Sequence, residues 1–278
     1  MKKSIAVIMT VHNRRDTTLE CIRHFYNCCG IKNYDIDFYM MDDGCTDGTA
    51  NAVTCAFPQV IILKGDGNLF WNRGMYECWK EAIKKDHDFY LWLNDDTMVF
   101  DNALEELIAV YSHCPQESII VGQICSTGDH TKPTYGGRKD GRIIPVTGEI
   151  EEVETMNGNL VLIPNRVTSK IGILSHFYKH KYGDIDYSVL ARNNGVRVFI
   201  TRCYVGTCDV HLGLPSCFNP NLGLRKRMAF LFSPLGLNPF EYTVFKFRTC
   251  NFLSAMKGTI YTNTYHFVRC LFPSAFIN

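Results

Sequence analysis

The chain has 278 residues, enough to bury one large core without disulfide or metal staples. Lysine plus arginine (29) nearly balance aspartate plus glutamate (28), for a net charge of +1. That excludes a long nucleic-acid footprint and an acidic tail, and no run approaches the ~18 apolar residues of a membrane-spanning helix.

The 13 cysteines are scattered without a C-x-x-C pair, and the basic N-terminus lacks the apolar stretch of a signal peptide. The thiols therefore read as reduced and mostly buried, in a cytoplasmic protein. The short basic clusters "RKDGR" and "RKR" read as solvated faces.

The elements follow in chain order. "SIAVIMTV" is a β-branched, apolar strand of the kind buried on both faces of a parallel sheet. "TTLECIRHFYNCC" has helical spacing, and Thr17 and Glu20 have capping-box spacing at its start. "IDFYMMDDG" is a second strand closed by two aspartates, "TDGTANAVTCAF" a short helix and "QVIILK" a third strand. "NRGMYECWKEAIKKD" places Met75, Trp79, Ala82 and Ile83 on one helical face. "FYLWLNDD" is a strand again. "DNALEELIAVYSHC" is a helix with Asp101 as its expected N-cap, and "SIIVGQIC" one more strand.

After residue 126 the pattern changes. Asp140-Gly141 between extended segments is a hairpin signal, "NGNLVLIP" a strand, "GDIDYSVLARNNG" a helix closed by Gly195, and "VRVFIT" a strand. The alternation predicts an α/β fold with a mostly parallel central sheet. Residues 1–215 are the expected main domain, in two halves, 1–126 and 127–215. Residues 216–278, rich in proline, aromatic and basic residues, are an expected helical extension.

In open sheets of this kind, ligands bind beyond the carboxyl ends of the strands. Three strands end there in polar groups: Thr10 to Asn13, Asp42 with Asp43, and Asn94 to Asp96. Two adjacent carboxylates repel, so Asp95 and Asp96 call for a compensating charge. Mg²⁺ or Mn²⁺ suits, being bound through one or two carboxylates plus substrate phosphates. Asp42 or Asp43 suits the N3–H of uracil or thymine, because a carboxylate only accepts. Asp47 is placed to cap the next helix.

These segments, in this order, resemble the inverting glycosyltransferases of the GT-A fold. "VIMTVHNRRDTTLECIRHF", "YMMDDGCTDGT", "GNLFWNRGM", "YLWLNDDTMVF" and "GDIDYSVLARNNG" are similar to family 2, in its rhamnosyltransferase-like branch, over roughly residues 4 to 211. The resemblance implies a nucleotide-sugar donor, a dTDP- or UDP-sugar, and Mn²⁺ or Mg²⁺. It makes 1–126 the nucleotide-sugar half and 127–215 the acceptor half of a catalytic domain, and it places Thr10, His12 and Asn13 at the base, Asp43 on the pyrimidine, Asp96 on the metal and Asp95 on the ribose or sugar, or on a water beside the metal. It makes Asp184 the general base, with Asp186 as alternate, where the family often has Glu-Asp and this chain has Gly183-Asp184. His211 matches a third metal-binding side chain after a late strand. Asn68, Trp71 and Asn72 would shape the donor pocket, although Trp71 also suits a core. "NGN" at 157–159 would line the acceptor side or form an ordinary turn.

The implied acceptor is a glycan or polyprenyl-linked sugar used in cell-surface polysaccharide synthesis. The extension would then lie on the inner face of the membrane, or pack against the catalytic domain or a second copy of the chain in a homodimer. The alternative function is a catalytically inactive nucleotide-sugar-binding protein.

Overall fold

A computed structural model describes residues 2–210 and 215–276. Strand β1 (Lys3–Val11) is followed by α1 (Arg15–Tyr26), β2 (Tyr34–Asp42), α2 (Thr49–Ala56), β3 (Val60–Lys64), α3 (Phe70–Ala82) and β4 (Phe89–Leu93). Next come β5 (Met98–Val99), α4 (Ala103–His113), β6 (Ser118–Cys125), β7 (Pro133–Tyr135), β8 (Gly137–Lys139), β9 (Arg142–Ile143) and β10 (Thr155–Met156). The sheet region closes with β11 (Leu160–Pro164), α5 (Asn165–Ile171), α6 (Gly183–Asn193) and β12 (Arg197–Thr207). Helices α7 (Leu224–Leu231), α8 (Pro239–Thr249) and α9 (Phe252–Leu271) form the C-terminal layer.

The main sheet has the order β3-β2-β1-β4-β11-β6-β12-β5. Strands β1 to β4 run parallel, and β12 runs parallel to β6. Strand β11 is antiparallel to both β4 and β6 and lies between them. The two expected halves, 1–126 and 127–215, thus share one sheet. A strand whose five residues are all buried reads the same in either direction, so its orientation is not in its pattern.

Period-2 alternation divides the core. Ile5, Val7, Met9 and Val11 of β1 face α1 and α4, packing with Ile22, Phe25, Leu104 and Leu107. Ala6 and Ile8 face α3 and α6, packing with Met75, Trp79 and Tyr187. Gly74 lets α3 lie close on β1, since a Cβ there would sit 2.2 Å from Thr10 Oγ1. The Asp140-Gly141 hairpin forms between β8 and β9, with both residues at positive φ, 49° and 72°.

Some local expectations differ. Helix α1 begins at Arg15, so Thr17 lies inside it and forms no capping box; Asp47 instead accepts the Arg15 N–H at 3.0 Å. Asn102, not Asp101, is the residue before α4, and no side chain caps that helix. Ile83 follows the end of α3 and is 40% exposed. Strands β5, β7 and β10, of two or three residues each, are too short to show a period.

Glu106 ties α4 to β12. Its carboxylate accepts from Arg202 Nε (3.0 Å), Nη2 (2.6 Å) and backbone N (2.8 Å). Burial raises the carboxyl's proton affinity, but these bonds outweigh it and the net shift is downward. Its stabilisation is therefore present above the ordinary glutamate range and lost as pH falls through the depressed value. Glu106→Ala should cost about 1–3 kcal/mol near neutrality, less the screening of a partly exposed arginine, and should flatten the acid limb of the stability curve. Denaturant titration at several pH values checks this; an unchanged acid limb refutes the assignment.

Candidate active site

The crevice lies where the chain order reverses, between the ends of β1 and β4. Because β11 runs antiparallel, its start reaches the same rim, and Asn157 to Asn159 meet Asn94 to Thr97. Asn94 N donates to Asn159 O at 2.9 Å, and Asn159 Nδ2 to Thr97 Oγ1 at 3.1 Å. Trp71 Nε1 donates to Asn94 Oδ1 at 2.7 Å. Gly158 lies under the Trp71 ring, where a Cβ would come within 2.5 Å of ring carbon Cζ2.

The acid pair follows the fully buried strand β4. Arg14 Nη1 sits 2.6 Å from Asp96 Oδ2 and 3.3 Å from Asp95 Oδ1. Cys208 Sγ donates to Asp96 Oδ1 at 3.6 Å. Asp95 is 7% exposed, and its Oδ2 is buried without a hydrogen-bond partner. Burial pushes its carboxyl up to about 7, against Arg14 and helped by the charge of Asp96.

Among the described residues no group of three or more His, Cys, Asp or Glu side chains forms a complete metal set. The pair still fits a hard cation that takes further ligands from phosphate and water, since Asp95 keeps an unsatisfied oxygen. His211 lies outside the described residues.

Asp184 stands at the start of α6, after Tyr182 in a left-handed conformation (φ 73°). Its Oδ2 accepts from Gly158 N at 3.2 Å and its Oδ1 from Ile185 N at 2.9 Å. The first bond ties it to the segment that carries Asn159, and so to the acid pair. Burial raises its proton affinity; those N–H groups and the Asn157 side chain oppose the rise without cancelling it. The helix N-terminus would make a carboxylate less basic, and desolvation outweighs it here. His180, two residues before Tyr182, is lowered to about 4 by burial, Lys181 and Arg14, and is neutral at pH 7.

The rim of the crevice beyond β1 and β2 is built from loops. His12 Nδ1 contacts Asp43 O at 2.6 Å. Asn13, at φ 52°, accepts the Thr46 N–H at 2.8 Å, and Asp47 accepts the Thr49 N–H at 3.0 Å. Thr10 lies against Gly74 of α3. Asn68 is exposed in the turn that precedes α3, its N–H on Asp66 Oδ1 at 2.9 Å.

The Asp43 carboxylate accepts the N–H groups of Gly67 (2.9 Å), Leu69 (3.2 Å) and Phe70 (2.9 Å) and is 3% exposed. It holds the entry to α3. Asp42 is half-buried and gives Oδ1 to the Cys45 N–H at 2.8 Å.

Three expected site residues are structural: Asp43, expected on the pyrimidine, has both carboxylate oxygens on backbone N–H groups, and Asn72 and Asp186 are likewise engaged. Asn72 is fully buried and donates to Ser175 O (2.7 Å) and Tyr178 O (2.8 Å), so it does not line a donor pocket. Asp186, the alternate base, is 3% exposed and taken by Tyr178 OH (2.9 Å) and by Arg248 Nε (2.9 Å) and Nη2 (3.0 Å). Sequence reasoning missed Arg14, although it directly follows the polar end of β1. Arg248 carried no signal, because its partner is 62 residues away.

Breaking the clamp should loosen the C-terminal layer. Arg248→Met should cost about 1–3 kcal/mol in denaturant unfolding, and Arg248→Lys should recover only part, for want of the two-pronged geometry. A methionine variant as stable as the parent would show that the pair contributes nothing.

Solved structures with this fold include TarS from S. aureus. The chain aligns with it at TM-score 0.56 and 14% identity, covering 83% of this chain and 42% of the other, so it spans less than half of that protein. TarS 1–349 in complex with UDP aligns at TM-score 0.57 and 12% identity, covering 88% and 70%. The same fragment with UDP-GlcNAc gives 0.55 and 13%, covering 88% and 71%. At these identities the likeness is one of fold. No curated protein matches the chain. The model of glycosyl transferase family 2 matches residues 6–166, which hold the acid pair and the ends of β1 and β4 though not Asp184, and the chain belongs to that family.

Proposed function

We propose that the protein is a metal-dependent, inverting glycosyltransferase. It would move a sugar from a UDP- or dTDP-linked donor to a hydroxyl of a glycan or lipid-linked acceptor, in cell-surface polysaccharide synthesis. The observation that carries this reading is the hydrogen-bonded path from Asp184 through Gly158 and Asn159 to Asn94, next to Asp95 and Asp96. It puts a basic carboxylate and an acid pair at one crevice, although they come from separate stretches of chain. The solved relatives' UDP and UDP-GlcNAc complexes support the donor class.

The residues divide the work. Asp184 accepts the proton of the acceptor hydroxyl as its oxygen attacks the anomeric carbon from the face opposite the diphosphate. Its raised proton affinity suits that task better than an ordinary exposed carboxylate would. Asp96 would hold Mn²⁺ or Mg²⁺ with Asp95 behind it. When bound, the cation supplies positive charge against the charge that grows on the leaving diphosphate. Arg14 already offsets part of the pair's charge, lying beside Asp95 Oδ1 and Asp96 Oδ2. Asp42 takes the pyrimidine N3–H, since Asp43 is committed to the loop before α3. Thr10, His12 and Asn13 shape the base pocket, and Trp71 closes the sugar side through Asn94.

A thermal-shift panel of nucleoside diphosphates with Mn²⁺ tests the donor class. UDP or dTDP at ~100 times its Kd should add about 2.7 kcal/mol of stability, and Asp42→Asn should weaken that binding by about 1–3 kcal/mol. With the sugar donor of the nucleotide that binds, Asp184→Asn should lower turnover by about 10²–10⁴ while leaving nucleotide affinity intact. The acid limb of the parent's rate profile should lie above the ordinary aspartate range. Full activity in Asp184→Asn would remove the base assignment. Metal-dependent nucleotide binding without donor consumption would favour the inactive binding protein.

A further inference from the structure

We propose that the C-terminal layer is a docking surface for an anionic lipid bilayer, which names a partner for the same crevice and rests on the reading of a lipid-linked acceptor. The first observation is the outer face of α9. Leu253 (69% exposed), Met256 (40%), Ile260 (62%) and Phe267 (43%) form one stripe along that helix. Ala255 faces away from the stripe and Cys270 lies at its edge, and both are fully buried where α9 packs on the rest of the layer. Phe252, 65% exposed, extends the stripe to the N-terminus of α9 and meets Phe247 of α8 edge to face at 5.8 Å. An exposed apolar surface of this extent marks an interaction site in a soluble fold.

The second observation is charge. Residues 216–278 hold seven lysines and arginines and a single acid, Glu241, while the whole chain is only +1. Lys257 sits beside the stripe and is exposed, as are Arg225 and Lys226 on α7. Apolar side chains flanked by cations suit the boundary between anionic headgroups and acyl chains. The same charge argues against a second copy as occupant, since two such faces would repel.

The layer is also fixed to the crevice. Besides the Arg248–Asp186 clamp, Glu241 Oε1 accepts the Lys179 N–H at 3.2 Å, and Phe245 stacks on Tyr182 at 5.0 Å. Tyr182 and Asp186 flank Asp184, so a docked layer would hold that carboxylate at a set orientation to the lipid surface.

Sedimentation of the full chain with vesicles tests this. Phosphatidylcholine vesicles containing phosphatidylglycerol should carry the protein down at low salt; vesicles of phosphatidylcholine alone should carry much less, and added salt should release it. The double variant L253E/I260E should lower the partition coefficient by about tenfold or more. Lys257→Ala should lower it about fivefold. Both variants change exposed residues, so melting temperature and UDP binding should not move.

The proposal is overturned if the parent stays in the supernatant with the anionic vesicles. It is also overturned if the double variant binds them as the parent does, or if that variant turns a stable dimer into a monomer. Vesicle binding without any binding of UDP or dTDP would overturn the functional reading and leave the docking surface standing.

Discussion

The rest of the site depends on placing two adjacent carboxylates at the end of a buried strand. Like charges ~4 Å apart repel by about 4 kcal/mol at an effective dielectric near 20, and desolvation adds to that. The fold supplies one answer of its own in Arg14, which reaches both acids from the end of β1. The relief is partial: Asp95 keeps a buried oxygen without a partner and an elevated proton affinity. A partly compensated charge at a strand end attracts a cation, and a diphosphate can supply the cation's other ligands.

The neighbours of that pair are arranged around it. Asn94 turns its backbone N–H to Asn159 and its side chain to Trp71, which places the acid turn between β11 and α3. Strand β11 can bring Asn157 to Asn159 there only because it enters the sheet antiparallel, starting at the rim where β4 ends. Gly158 then reaches Asp184, joining a late helix to an early strand. Segments 65 residues apart in sequence, Asn94 and Asn159, are thus adjacent where charge has to be managed.

Asp186 and Asp184 show how two similar residues on one turn part company. Both are acids at the start of α6. Asp186 points into the C-terminal layer and is satisfied by Tyr178 and Arg248. Asp184 points to Gly158 and has only N–H and amide partners, so burial dominates its proton affinity. Asp186 is committed to its hydroxyl and guanidinium partners, whereas Asp184 is held by neutral donors. Asn72 shows the same sorting: an amide that reads as a pocket residue is fully buried and bridges two carbonyls of the loop before α6.

Local residue patterns specify the alternation of strands and helices, the Asp140-Gly141 turn, the place of each acid at a strand or helix end, and the family's ordered motifs. Those features are local: each depends on side-chain period, turn chemistry or spacing within one segment. Long-range packing sets the rest: β11 runs antiparallel, Asp43 holds a loop, Arg14 meets the acid pair and Arg248 claims Asp186. Each of these is a contact between distant segments, and no local pattern encodes it because the same residues satisfy their local rules equally well without it. Burial likewise depends on what packs above a side chain, which is why two acids alike in sequence take different partners once the chain has folded.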